Sequence, residues 1–303
     1  MLAASGSDEY LPSTRSPGGG SRSAGVLDGA VAMARVWETF GRARDVAREA
    51  LYAAYERKLM SEQHRWRKPH HLGVVMDGNR RFAREVGADS VVVGHTAGAD
   101  KLEEVLDWCE EVEIPVMTVW IFSLDNFGRA EDEVEGLMNL FEKKFLELVT
   151  SQKIHKNGIR ICSIGRIDAL PRKVQRAIRA AEAATAGYDR RILNVGVAYG
   201  GREEIVDAVR AHLAQAAAEG RSLAEVATHF DAADVERHLY TAHVSDPDLI
   251  IRTSGEVRLS GFLLWQSAHA EYYFTDAFWP AFRKIDFLRA LRSYDQRQRR
   301  YGK

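Results

Sequence analysis

The sequence predicts an α/β fold: a mainly parallel, six-stranded sheet flanked by helices. Three observations lead there. Short apolar runs alternate with stretches of helical period, as in repeated βαβ units. The runs are apolar almost throughout, the pattern of strands covered on both faces. Several end abruptly in polar clusters, and ligands of open α/β sheets bind just beyond the carboxyl ends of strands. The sharpest case is His71-Leu72-Gly73-Val74-Val75-Met76-Asp77-Gly78-Asn79-Arg80-Arg81, where an apolar run stops at an acid, a glycine, an amide and two arginines.

Taken in order, residues 1–25 are rich in Ser and Gly, carry Pro12 and Pro17, lack any period and are expected to be disordered. Over 26–65 the spacing of Met33, Val36, Phe40, Ala47, Leu51, Tyr55 and Leu59 predicts a helical extension. Its arginines and aromatics suit docking on its own domain or on a second copy, with peripheral membrane contact as the alternative. Residues 66–303 show no linker and no repeat and read as one domain. Strands are expected at Leu72–Met76, Val116–Phe122, Ile159–Ile164, Leu193–Ala198, Leu249–Ile251 and Tyr272–Phe274. Between them, helical stripes run through Leu102, Val105, Leu106, Cys109 and Val112, and through Val134, Leu137, Met138, Phe141, Phe145 and Leu148. A third runs through Ile205, Val209 and Leu213 towards a C-terminal stop at Gly220.

Composition narrows the function. Of 303 residues, 46% are hydrophobic and 28% charged, enough for a real core. A net charge of −1 supplies no global field for nucleic acid, so any anion site must be local. Cys109 and Cys162 fall inside apolar segments and read as buried thiols of a reducing cytoplasm, with no spacing for a structural metal. No apolar run reaches the roughly 20 residues of a membrane span, and no signal peptide opens the chain, so a cytoplasmic protein is expected.

Polar clusters follow four of the expected strands. They are Asp77, Gly78, Asn79, Arg80 and Arg81; Ser123, Asp125, Asn126 and Arg129; Tyr199 to Arg202; and Arg252, Thr253, Ser254, Gly255, Glu256, Arg258 and Ser260. In a parallel sheet all four emerge at one edge. Arginine forks and backbone N–H groups near glycines suit phosphate oxygens. Two such patches, at Arg80/Arg81 and at Arg252/Arg258/Ser260, suggest two phosphorylated groups. A carboxylate among them, Asp77, makes best sense as a ligand for Mg²⁺, with Glu271 as a second acid. Phe82, Trp120, Phe122, Phe127, Phe141 and Trp265 suit either a hydrocarbon pocket or ordinary core. Taken singly, Asp77-Gly78 is also a turn and His95 also a helix cap. With no Walker-type loop and no Gly-x-Ser-x-Gly elbow, a nucleotide- or sugar-phosphate-binding domain stays open at this level.

Longer blocks carry a resemblance. Met76-Asp77-Gly78-Asn79-Arg80-Arg81, Gly94-His95-Thr96-Ala97-Gly98, Phe122-Ser123-Leu124-Asp125-Asn126, Ala198-Tyr199-Gly200-Gly201-Arg202 and Asp248 through Glu256 resemble, in order, the signature blocks of the cis-prenyltransferases, a family that includes undecaprenyl diphosphate synthase. The similarity continues through Phe262-Leu263-Leu264-Trp265-Gln266 and Glu271-Tyr272-Tyr273-Phe274 to Trp279-Pro280, covering roughly residues 68 to 302. The resemblance implies a homodimer with a hydrophobic tunnel, acting on isopentenyl diphosphate and an allylic diphosphate with Mg²⁺. It makes Asp77 the essential carboxylate and metal ligand, assisted by Glu271. Gly78, Asn79, Arg80, Arg81 and His95 would hold the allylic diphosphate. Phe82, Ser123, Asn126, Phe127 and Arg129 would lie near the reacting ends, with Asn126 catalytic. Arg252, Arg258 and Ser260 would grip isopentenyl diphosphate, and Arg300 and Gly302 would reach the partner subunit's site.

Some positions depart from the pattern. Arg80 stands where long-chain members usually have Gly, Phe82 and Phe127 where Trp is common, Asp125 for a frequent Glu and Val257 for a frequent His. An Arg often found shortly before the Gly-His pair is absent from Ser90-Val91-Val92-Val93. Ile121 lies where long-chain members carry a small residue facing the tunnel. With Ser260 through Ala268, it resembles short-chain actinobacterial members that make (Z,E)-farnesyl diphosphate from geranyl diphosphate. A medium- or long-chain synthase is the alternative. A non-catalytic partner-binding subunit is disfavoured because Asp77 and the arginines are retained.

Overall fold

The computed structural model describes residues 48–297. The chain divides into two compact units, 1–54 and 55–303. The expected tail over 1–25 and most of the expected helix over 26–65 lie outside the described residues. Residues 48–62 are helical (α1).

Six strands follow: β1 His71–Val75, β2 Val116–Ser123, β3 Ile159–Ile164, β4 Arg191–Tyr199, β5 Leu249–Arg252 and β6 Glu271–Phe274. They form one sheet in the order β3-β4-β2-β1-β5-β6, with every neighbouring pair parallel. All six expected strands are present, with ends moved by at most two residues. The central β1 and β5 are buried at every position, which is why they read as unbroken apolar runs. The helices are α2 Asn79–Glu85, α3 Val91–Glu111, α4 Glu131–Thr150, α5 Gln152–Lys156, α6 Arg172–Thr185, α7 Gly201–Ala218, α8 Leu223–His229, α9 Ala232–Glu236 and α10 Lys284–Gln296. Ser90 starts α3 by accepting the Val92 amide N–H on its hydroxyl, an N-cap bond.

Two expectations change. The stripe on α7 is rotated: Leu213 is 41% exposed, while Glu204, Ala208, His212 and Ala216 are buried. Glu204 is inside because its carboxylate accepts from the Tyr199 hydroxyl (2.5 Å), the Tyr240 amide (2.9 Å) and Gln266 Nε2 (2.9 Å). Such bonds make a buried acid tolerable, and periodicity of apolar residues cannot foresee them. Cys162, expected buried, is only half-buried because β3 is an edge strand. Cys109 is buried, and burial pushes its thiol up to about 12. No helix among the described residues is long and apolar enough to cross a membrane.

Beneath the sheet a polar chain ties three strands. The His71 ring donates Nδ1–H to the Ser245 carbonyl (2.6 Å), and its Nε2 accepts the Thr118 hydroxyl (2.7 Å). Thr118 in turn accepts from Asn194 Nδ2 (3.0 Å), and Asn194 Oδ1 bonds His243 Nε2 (2.9 Å). This pattern needs a neutral His71. Burial lowers the His71 pKa from 6.5 to about 4, against the opposing Ser245 bond.

The unfolded chain therefore binds the His71 proton near pH 6.5 and the folded one only near pH 4. The contribution to stability is complete above pH 6.5 and fades as pH falls towards 4, on the order of 3 kcal/mol in all. Urea midpoints at pH 7.5 and pH 5 should show the loss, and His71→Gln should flatten that slope. An unchanged slope in the variant would remove His71 from the account.

Candidate active site

The sheet order places β1 between β2 and β5, so the loops leaving these three strands meet at one edge. There they enclose a polar basin of about 480 Å³. Five arginines border it, Arg80, Arg81, Arg84, Arg129 and Arg252, against two acids, Asp77 and Asp125. The chain as a whole is nearly neutral, so this is a local concentration of positive charge, suited to an anion.

Asp77 follows β1, and Arg252 ends β5 beside it, in register with Val75. Arg252 Nη2 donates to Asp77 Oδ2 at 2.8 Å, and Arg81 Nη2 lies 3.5 Å from Asp77 Oδ1. Burial pushes the Asp77 carboxyl up, but the hydrogen bond and charge of Arg252, helped by the charge of Arg81, outweigh it and hold the pKa below the ordinary value. The backbone is fixed as firmly. The buried Thr253 hydroxyl donates to the Asp77 carbonyl (2.6 Å) and accepts the Asp77 amide (3.0 Å). Gly78 sits at φ 105°, and a Cβ there would lie 2.9 Å from Phe278 Cδ1, so only glycine turns the chain here.

The opposite wall comes from the loop after β5. Arg252 Nη1 donates to Ser260 Oγ (2.8 Å) and to the Arg258 carbonyl. Its Nε has no protein partner among the described residues. Ser254 and Gly255 both adopt positive φ (76° and 73°), as does Ser260 (52°), so this loop holds strain of a kind that gathers at functional sites. Arg81 pins it by donating to Ser254 Oγ (2.5 Å) and the Ser254 carbonyl (3.2 Å). The Arg258 guanidinium donates from Nη1 to Glu256 and from Nε to Ser260 Oγ (3.2 Å), and only the Arg258 carbonyl and Ser260 Oγ reach Arg252.

From β2 come Ser123, Asn126 and Arg129. Asn126 Oδ1 accepts the Ser123 amide (3.1 Å) and closes a capping box around the short turn Leu124–Gly128. His95, on α3, is mostly buried. Burial lowers its pKa against the pull of Glu133, so the ring is neutral at pH 7. Glu133, in the first turn of α4, is itself 5% exposed. It was not among the residues singled out from sequence, although its place four residues after Arg129, an i,i+4 pair, is a legible signal.

The structure does not gather every expected residue. Phe82 and Phe127 do not border the basin; Phe127 packs edge-on against Phe122 with centroids 4.9 Å apart. The Tyr199–Arg202 cluster also stays away. Its strand β4 is one place further out, and Gly201 packs on the Gly261 carbonyl and Leu264 instead. Glu271 needs correction as an Asp77 partner within one chain. It opens β6 in register with Leu249, three residues before the Arg252–Phe274 pair, about 10 Å back from the site edge. There it accepts from Arg297 Nη1 at 2.7 Å. Arg300 and Gly302 lie outside the described residues.

A second cavity, of about 340 Å³, adjoins the first. It runs between α3 and α4 over β2 and β4, walled by Leu102, Leu106, Leu137, Phe141, Phe145 and Val195. The two share Met76, Asn79, His95 and Ile121 as lining residues. Leu102 and Leu106 belong to the predicted α3 stripe yet are only half-buried, because they face this cavity. A charged basin thus opens beside an apolar cleft, with Ile121 at the junction.

The family model described as undecaprenyl diphosphate synthase matches residues 75–302. The chain belongs to this family of cis-prenyltransferases. It is therefore a transferase of prenyl groups in isoprenoid biosynthesis, and enzymes of this family act on isopentenyl and allylic diphosphates. It is 52% identical over 253 residues to an isoprenyl transferase of Thermus thermophilus, covering 84% of this chain and 96% of that one. It is 50% identical over 252 residues to a (2Z,6E)-farnesyl diphosphate synthase of Thermobifida fusca, covering 83% and 97%. A solved structure of lavandulyl diphosphate synthase from Lavandula x intermedia, in complex with dimethylallyl diphosphate, superposes with a TM-score of 0.70 at 36% identity. It covers 78% of this chain and 99% of the other.

Enzymes of this family generally use a divalent metal. The donor set fits one carried in with a diphosphate. Asp77 is one of only two carboxylates that border the basin, and the described residues hold no group of three or more metal-binding side chains. Mg²⁺ characteristically takes one or two carboxylates and fills its shell with phosphate oxygens and water.

The prenyltransferase packs α3 tightly on α2. A Cβ at Gly94 would lie 2.1 Å from the Asn79 carbonyl oxygen, with no flexible atom to give way. Gly94→Ala should therefore cost about 1–3 kcal/mol of stability, read as a lower denaturant midpoint. A wild-type midpoint would refute the tight contact.

Proposed function

We propose that this chain joins isopentenyl diphosphate to a short allylic diphosphate, with geranyl diphosphate as primer. The product is a short Z-prenyl diphosphate such as (Z,E)-farnesyl diphosphate, and pyrophosphate is released. The observation that carries the reading is the cationic basin meeting the apolar cleft at Met76, Asn79, His95 and Ile121, which suits a substrate with an anionic head and a hydrocarbon tail.

In this reading Gly78, Asn79, Arg80, Arg81 and His95 hold the allylic diphosphate. Arg252, Ser260 and Arg258 hold the diphosphate of isopentenyl diphosphate, Arg258 turning from Glu256 to do so. Ser123, Asn126 and Arg129 stand where the reacting ends meet. Asp77 would hold Mg²⁺, which when bound supplies positive charge to the departing pyrophosphate. The arginines supply the same help from fixed positions, where charge develops as the allylic C–O bond breaks. The isopentenyl double bond attacks the allylic carbon, and loss of a proton leaves the Z double bond. The working unit is a homodimer in which Arg300 and Gly302 of one copy complete the other's site. Partly exposed Tyr272, Tyr273 and Phe274 on edge strand β6 are consistent with a second copy.

Ile121 governs length here. Its branched side chain narrows the passage from basin to cleft, so the growing chain stalls early. A longer product is the second reading, favoured by the cleft continuing beyond Ile121 as far as Leu148.

Purified protein with Mg²⁺, labelled isopentenyl diphosphate and either geranyl or farnesyl diphosphate should give a C15 product from the first primer. Absence of product from both would overturn the assignment. Asp77→Ala should lower kcat by about a hundredfold or more with the circular dichroism spectrum unchanged. Ile121→Ala should lengthen the product by at least one five-carbon unit; unchanged length would sink the steric account.

A further inference from the structure

We propose that Glu133 is the positioning residue of the diphosphate basin: it never touches substrate but holds Arg80, His95 and Arg129 facing it. This rests on the proposed function above. Glu133 Oε1 accepts from Arg129 Nη1 at 2.9 Å and faces His95 Nε2 at 3.4 Å, while Oε2 lies 3.5 Å from Arg80 Nε. The three partners come from three places: the start of α2, the body of α3 and the loop before α4. All three border the basin, and Glu133 does not. Its carboxylate is buried at 5% exposure, behind the wall its partners form.

A carboxylate near an anion site is otherwise a liability. Through space it repels the diphosphate, and burying it costs free energy unless it is paired. Both costs are offset if the group orders two long arginine side chains that would otherwise repel each other and lose rotamer freedom only on binding. Its position suits this, since acidic residues in the first turn of a helix are favoured by the aligned peptide dipoles.

The two roles differ in sign. If Glu133 acted only as a distant negative charge, Glu133→Gln would tighten anion binding. If it positions, the same change loosens it. Inorganic pyrophosphate, titrated calorimetrically into the full chain, reads this without prenyl transfer. We expect pyrophosphate to bind the wild type and to bind Glu133→Gln about tenfold more weakly. Glu133→Asp, with the charge kept but drawn back, should fall between them. In turnover, KM for the allylic substrate should rise while KM for isopentenyl diphosphate stays within about twofold. Equal or tighter binding by Glu133→Gln would overturn the proposal and leave the proposed function standing. Failure of the wild type to bind pyrophosphate would overturn the proposed function as well. Should Glu133→Gln not fold, Glu133→Asp decides: weaker binding supports positioning, and unchanged binding refutes it.

Discussion

The ion pair between Asp77 and Arg252 joins the two strands on which the site depends. Arg252 is almost wholly buried, and an unpaired guanidinium there would carry a penalty of several kcal/mol. It is tolerated because its two terminal nitrogens are used, one on Asp77 and one on Ser260 and the Arg258 carbonyl. One side chain thus spans both walls of the basin. The parallel register of β1 and β5 makes this reach unavoidable, since Val75 and Arg252 are paired neighbours and Asp77 comes two residues later.

Around that pair the molecule separates two solvents. On one side five arginines border a polar, positive pocket. On the other, α3 and α4 leave leucines and phenylalanines facing a cleft. Apolar surface of this kind is costly to expose, at roughly 25 cal/mol per Å², and a hydrocarbon tail can cover it. A prenyl diphosphate has both characters in one molecule. The site is a boundary between polar and apolar environments as much as a set of catalytic groups.

Rigidity comes from groups away from the basin. Tyr199, Glu204 and Gln266 lock the segment after Ser260, because the Leu263 amide donates to the Tyr199 hydroxyl (3.2 Å) while that hydroxyl donates to Glu204. Thr253 clamps the backbone of Asp77, and Trp279 Nε1 donates to the Gly98 carbonyl (2.7 Å) from behind α3. These bonds restrict the loops that carry Asp77 and Ser260 and the helix α3 that carries His95, so less order has to be gained when an anion binds.

Strand by strand, the architecture was legible in the chain: period and apolar runs located β1 to β6, and the polar ends of β1, β2 and β5 marked the basin. Those signals are local, and burial on both faces writes them directly into residue choice. Asp77, Arg81, Arg252 and Ser260 stood out because each ends or follows a strand. What tertiary structure alone decided was adjacency. The sheet order excluded the Gly200-Gly201 loop from the basin, and the parallel register carried Glu271 to the far edge. Burial turned Glu204 inward, and packing brought His95 and Arg80 onto Glu133. Each of these depends on side chains far apart in sequence, whose pairing leaves no period behind. The physical reason is that a charge may be buried only where its partners already are, and their positions are set by the fold.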